Sequence, residues 1–205
     1  SAKNGPITFF EKPIAATNSI SIDKGLENGY LRLGFNNLDQ KGLLPNSTLK
    51  RNTFTLSAST LINDRLTVSG YGNFTKTSTV GRNSTGYNDN IAGNFRQWWQ
   101  TNVDIKSLQQ AYQLTGRNIS WNPNSYTTPT PIFWDNPYFQ RYENYQNDSR
   151  SRFIGNASLN YKITNWLDAF GRISVDTYDE LQEERRAIGS VPANFGIGTG
   201  GGDGS

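Results

Sequence analysis

Residues 153–175 read Phe153-Ile154-Gly155-Asn156-Ala157-Ser158-Leu159-Asn160-Tyr161-Lys162-Ile163-Thr164-Asn165-Trp166-Leu167-Asp168-Ala169-Phe170-Gly171-Arg172-Ile173-Ser174-Val175. Phe153, Gly155, Ala157, Leu159 and Tyr161 alternate with polar residues, and the chain turns at Thr164-Asn165. Leu167, Ala169, Gly171, Ile173 and Val175 then alternate back. A strand points successive side chains to opposite faces, so this hairpin has one apolar face. The other face carries Arg152, Asn156, Ser158, Asn160, Lys162, Asp168, Arg172, Ser174 and Asp176. A second hairpin repeats the pattern: Phe54, Leu56 and Ala58 run to a turn at Asn63-Asp64 and return as Leu66, Val68, Gly70, Gly72 and Phe74. Its other face carries Thr53, Thr55, Ser57, Ser59, Thr67, Ser69, Tyr71 and Asn73. Each arm is about ten residues, the length a tilted strand needs to cross a bilayer.

Composition narrows the classes. The chain has 205 residues, 34% of them hydrophobic, and a mean hydropathy of −0.67. No run approaches the roughly 18 apolar residues of a spanning helix. Overall polarity leaves a membrane barrel open, because lumen residues dilute lipid-facing ones along every strand. Cys, His and Met are absent, which removes thiol chemistry, disulfides and imidazole metal ligands. A net charge of +3, scattered along the chain, gives no basic footprint for nucleic acid. No start methionine and no charged-then-apolar leader opens the sequence, so the natural N-terminus is expected to lie elsewhere.

The connections carry a second argument. Strands are expected near 17–24, 29–38, 50–61, 65–79, 147–163 and 166–179. They are joined by short turns at Gly25–Gly29, Asn63-Asp64 and Thr164-Asn165, alternating with longer polar segments at 39–48, 80–146 and 180–205. Porin-like barrels share this asymmetry, with short periplasmic turns and long extracellular loops. The apolar face includes Gly70, Gly72, Gly155 and Gly171, which fill a soluble core poorly. Tyr161 and Trp166 near the turns suit an interfacial girdle. A soluble antiparallel sheet with its apolar face inward has the same alternation and stays open. Six strands fall short of the roughly eight that close the smallest membrane barrels. The expectation is therefore an all-β, antiparallel transmembrane barrel section belonging to a larger barrel, with the remaining strands outside these residues.

The run Tyr142-Glu143-Asn144-Tyr145-Gln146-Asn147-Asp148-Ser149-Arg150-Ser151-Arg152-Phe153 and the hairpin after it resemble the barrel of SusC/RagA-like TonB-dependent outer-membrane transporters. Asp39-Gln40-Lys41-Gly42, Pro45-Asn46, Leu49-Lys50-Arg51-Asn52 and Asn136-Pro137-Tyr138 are similar to other parts of that family's barrel. The resemblance spans most of residues 17–190 and is most specific over 136–178. It implies a barrel of about 22 strands with an N-terminal plug, in the outer membrane of a Gram-negative, Bacteroidota-type bacterium. It further implies a SusD-like lipoprotein lid, energy from TonB, and oligosaccharide or peptide cargo. Plug, TonB-binding segment and terminal strands have no counterpart in these residues.

Candidate contacts with cargo or lid lie in the 80–146 segment: Trp98, Trp99, Trp121, Tyr126, Trp134 and Tyr138, flat rings among Asn, Gln and Thr. Rings with nearby amides stack on sugars or peptides; the alternative is that they pack the segment against itself. Ile105, Leu108 and Tyr112 predict a short helix begun near Asn102. Arg152, Lys162, Asp168, Arg172 and Asp176 are expected to face the lumen, pairing across strands. Glu180, Glu183 and Glu184 with Arg185 and Arg186 read as a solvated charge cluster. Asn88-Asp89-Asn90 lacks calcium-loop spacing, and the C-terminal glycine run lacks the lysine of a phosphate loop. No catalytic set, cofactor motif or metal site emerges. Besides a transporter section, two readings remain: a soluble carbohydrate- or peptide-binding β-module, and a barrel that scaffolds other envelope proteins.

Overall fold

A computed structural model describes residues 1–85 and 90–191. Asn88-Asp89 and the C-terminal glycine run, read above, lie outside the described residues. The chain forms one six-stranded antiparallel sheet in sequential order, β1 to β6. The strands are β1 (Ile14–Leu26), β2 (Gly29–Lys41), β3 (Thr48–Asn63), β4 (Leu66–Val80), β5 (Tyr145–Lys162) and β6 (Asp168–Arg185). β4 and β5 are neighbours although the chain makes a long excursion between them. All three tight turns sit at one end of the sheet. At the Asn63 turn the side-chain carbonyl accepts from the Arg65 and Leu66 amides, each at 3.0 Å, an Asx-type turn that closes the hairpin.

The strands run further than the alternation predicts. β1 starts at Ile14, β2 reaches Lys41, β3 starts at Thr48, and β6 continues through the Glu180–Arg185 cluster, which is strand and not loop. Beyond the apolar band both faces are polar, so the ladder continues where the sequence pattern has already faded.

The excursion folds into a cap at the loop end of the sheet. Among the described residues it holds three helices: α1 (Ile91–Gln97), α2 (Ile105–Thr115) and α3 (Pro137–Glu143). The expected helix near Asn102 is α2, capped instead by Asp104, whose carboxylate accepts from the Lys106 and Ser107 amides. The cap has its own core of Phe9, Ile91, Ile105 and Tyr138. Phe9 comes from the segment preceding β1 and meets Tyr138 edge-on at 5.0 Å.

Candidate functional site: the wall and its cap

Pairing register converts alternation into surfaces. On one face Ile20, Phe35, Phe54, Phe74 and Phe153 form a continuous row across five strands. Below it run Ile22-Leu33-Leu56-Gly72-Gly155-Val175, and then Leu31-Ala58-Gly70-Ala157-Ile173. Val68-Leu159-Gly171 and finally Leu66-Tyr161-Ala169 follow toward the turns. Lys24, on β1 two residues from the end of its strand, stands on this face. Above the Phe row the face becomes Asn18-Asn37-Asn52-Lys76-Ser151-Asp179. Phe153 to Tyr161 spans about 27 Å at about 3.4 Å per residue, or about 20 Å across a membrane at a tilt near 40°. Side chains of the bounding rows bring this close to the apolar band of about 25 Å found in outer-membrane barrels.

No described element covers this face. Ile173 is 75% exposed, Ile20 63% and Phe54 55%. A large apolar side chain left in water forgoes about 1.5–3 kcal/mol of burial. The same chain buries Phe9 and Ile105 almost completely inside the cap.

The opposite face is a hydroxyl and amide lattice. Ser59 and Ser69 hydrogen-bond across strands at 2.8 Å, Asn36 donates to Ser19 at 2.6 Å, and Asn73 donates to Thr55 at 3.1 Å. Arg32 pairs with Asp23. Of the five charged residues expected on this face, Arg152 grips Asp176 with two bonds, 2.8 and 2.5 Å. Lys162 and Asp168 oppose each other in the last rung of β5 and β6, and Arg172 lies over the Phe170 ring. All five share one face. The pairs are solvent-facing cross-strand contacts, screened by water. Ile154 and Phe170 interrupt this polar face, which the alternation alone does not anticipate.

The cap gathers the tryptophans. Trp98 stacks on Trp134 at 6.0 Å, and Trp99 packs on Phe95 at 4.9 Å and Trp121 at 4.6 Å. Trp134 and Tyr138 are buried and belong to the packing of the cap, so their rings offer no face to a ligand. Trp98 is half exposed and Tyr126 fully exposed. Tyr126 sits on a small hairpin pinned by the Pro123–Pro131 bridge. Asn122 anchors its base, accepting from the Phe133 and Trp134 amides and donating to Trp134 O. Exposed aromatic candidates therefore reduce to Trp98 and Tyr126, with Trp99 and Trp121 each partly exposed and Trp99 packed against the cap core.

Residues 135–144 form a hub that sequence reading missed. Asn136, fully buried, donates to Leu108 O and Ile119 O and caps α3 through the Tyr138 and Phe139 amides. Asp135 accepts from Asn118, Asn144 and the Val191 amide, tying the segment after β6 to the cap. Arg141 is buried and donates to backbone carbonyls alone: Pro45 at 2.9 Å, Asn46 at 3.3 Å, Arg82 at 3.4 Å, and Gly81. Burial pushes its guanidinium pKa down. Burial likewise pushes the Tyr138 phenol up to about 12, and burial together with Glu143 raises that of Tyr112. Asp104 is held below the usual carboxylate range, chiefly by the Asn4 amide that donates to it at 2.9 Å. The Asn-Pro signature at α3, cap residue then proline at the first helical position, was the available signal for this hub.

Among the described residues no cluster of metal-ligating side chains occurs, and no helix is long and apolar enough to cross a membrane. Neither a protein-family model nor a curated protein matches the chain.

Proposed function

We propose that this sheet is part of the wall of an outer-membrane β-barrel, and that the barrel is a SusC-like, TonB-dependent importer of oligosaccharides or peptides. One observation carries the membrane reading: an apolar face continuous across all six strands, in register and uncovered, bounded by a row of Asn, Lys, Ser and Asp. Lipid is the solvent in which that face costs nothing. The edge strands β1 and β6, of 13 and 18 residues, each have one side unpaired. Unpaired backbone is untenable in hydrocarbon, so the reading requires further strands on both sides. Turns at one end and a folded cap at the other support periplasmic and extracellular sides respectively.

The importer reading rests on the family resemblance and on the cap, whose exposed Trp98 and Tyr126 would meet cargo or a SusD-like lid. The polar lattice would line the lumen, and TonB would act through parts of the protein other than these strands. The test is genetic and physical together. The intact protein should stay in urea-washed outer membranes, and deleting its gene should abolish uptake of a fluorescent oligosaccharide or peptide pool that the gene restores. Unchanged uptake, with the protein still in the membrane, would leave a scaffolding barrel. Recovery as a detergent-free monomer would favour a soluble carbohydrate- or peptide-binding module.

A further inference from the structure

The apolar wall is not smooth. A trough of about 630 Å³ opens on it, walled by Ile20, Leu33, Leu56, Phe54, Phe74 and Phe153 and floored by the Gly70 and Gly72 backbone. That volume falls within the range of about 300–1,000 Å³ typical of small-molecule sites. Lys76 sits on the same face directly above Phe74, one row outside the apolar band, and is exposed. Its nearest neighbours on that face follow from register. Asn52 and Ser151 flank it in its own row, Ser78 and Ser149 stand above, and Phe54, Phe74 and Phe153 lie below. Lys50 is its diagonal neighbour on β3.

No carboxylate stands among those neighbours. Asp39 is engaged by Lys50 at 3.6 Å, and Asp179 lies two strands away on β6. By contrast, Arg32, Arg150 and Arg152 on the other face each have a carboxylate across the ladder. A cation and a collar of hydroxyl and amide donors therefore stand immediately above an apolar trough. That is the polarity profile of an anionic amphiphile: phosphate at Lys76, acyl chain below.

We infer that Lys76, with the serine and asparagine collar, binds the phosphate headgroup of a membrane lipid whose acyl chain fills the trough over Gly70 and Gly72. This rests on the membrane reading proposed above. A lysine beside an anionic headgroup contributes about fivefold in affinity. Gly70 is the position at which to block the chain, because a Cβ there meets nothing within 4 Å.

The test uses the intact protein in detergent, with native mass spectrometry and two probes of equal chain length, dimyristoyl phosphatidylglycerol and dimyristoylglycerol. The parent should retain the phosphorylated lipid about fivefold over the neutral one. Lys76→Glu should abolish that preference, and Gly70→Leu should lower retention of both lipids at least severalfold, with β-sheet circular dichroism unchanged in each. A preference surviving Lys76→Glu, or full retention by Gly70→Leu, overturns the inference. So does binding of inorganic phosphate that matches the phosphorylated lipid in affinity. These failures are separate from failure of the membrane reading, which would appear as extraction of the parent into carbonate without detergent.

Discussion

Replacing Arg141 with Met tests whether one buried cation holds the cap to the strand ends. Its guanidinium donates to Pro45, Asn46, Gly81 and Arg82, which belong to the β2–β3 loop and the exit of β4. The Pro45 and Gly81 bonds are buried. Hydrogen bonds from a charged donor contribute about 1.5–3 kcal/mol each, so these two are worth about 3–6 kcal/mol gross. The variant also recovers the desolvation cost of the guanidinium, the same cost that depresses its pKa, leaving about 3 kcal/mol net. Hydrogen exchange reads this locally. The Gly42 amide bonds to Ser47 O at 2.7 Å and the Arg82 amide to Gln146 O at 3.0 Å, and both lie beside the Arg141 contacts. A loss of about 3 kcal/mol in local opening energy accelerates their exchange by about a hundredfold. Amides in the middle of β3 and β4 should be unaffected. Arg141→Lys keeps the charge but loses the planar fork, and should fall between parent and Met variant. Exchange at Gly42 and Arg82 within about threefold of the parent would mean that the buried acceptors had found water and that Arg141 does not hold the cap to the strand ends.

Two glycines in left-handed conformation separate strain from collision. Gly116, at φ 63°, has open space around it, so Gly116→Ala should cost about 1–2 kcal/mol in thermal unfolding of the cap. Gly81, at φ 65°, would place a Cβ 1.8 Å from Asn46 O and 2.7 Å from Arg141 Nη2, so Gly81→Ala should cost clearly more and release the same amides as Arg141→Met. Asn136→Ala withdraws the side-chain donor from Leu108 O and Ile119 O and uncaps α3, a loss of about 1–3 kcal/mol measurable as earlier proteolysis within the cap. Tyr138 titrates near 12 when folded against about 10 unfolded. Between those values the unfolded chain binds fewer protons, so cap stability should fall as pH rises from about 10 to 12, at up to about 1.4 kcal/mol per unit. Tyr138→Phe should remove its share of that slope and leave the share of Tyr112, whose phenol is raised as well.

The antiparallel sheet was legible because period-two alternation and turn chemistry agree on β3 with β4 and on β5 with β6. Strand ends were less legible for a physical reason. At Asp39-Gln40-Lys41, Thr48 to Arg51 and Glu180 to Arg185 both faces meet water, so pairing continues without an apolar pattern to announce it. α1 is too short to show a helical period. The start of α2 was misplaced because Asn102 and Asp104 are both capping types, and only Asp104 reaches the Lys106 and Ser107 amides. The cap core depends on Phe9, far from Ile105 and Tyr138 in sequence. Arg141 reaches carbonyls 95 and 96 residues away, which no local pattern encodes. The aromatic candidates divided for the same reason. Which rings pack and which stay exposed is decided by tertiary neighbours, so Trp134 and Tyr138 went inward while Trp98 and Tyr126 stayed out.

Cysteines introduced singly into these 205 residues, which contain none, with any cysteine elsewhere in the intact protein replaced by serine, test the proposal that one face of this sheet lies against lipid. Spin labels placed singly at Leu56, Ser57, Val68, Ser69, Leu159, Ser158, Ile173 and Ser174 of the intact protein in lipid nanodiscs would report collision with oxygen and with a water-soluble nickel chelate. Strict alternation is expected, with oxygen favoured at Leu56, Val68, Leu159 and Ile173 and nickel favoured at the four serines. Equal nickel access on both faces, or the inverse alternation, would contradict it.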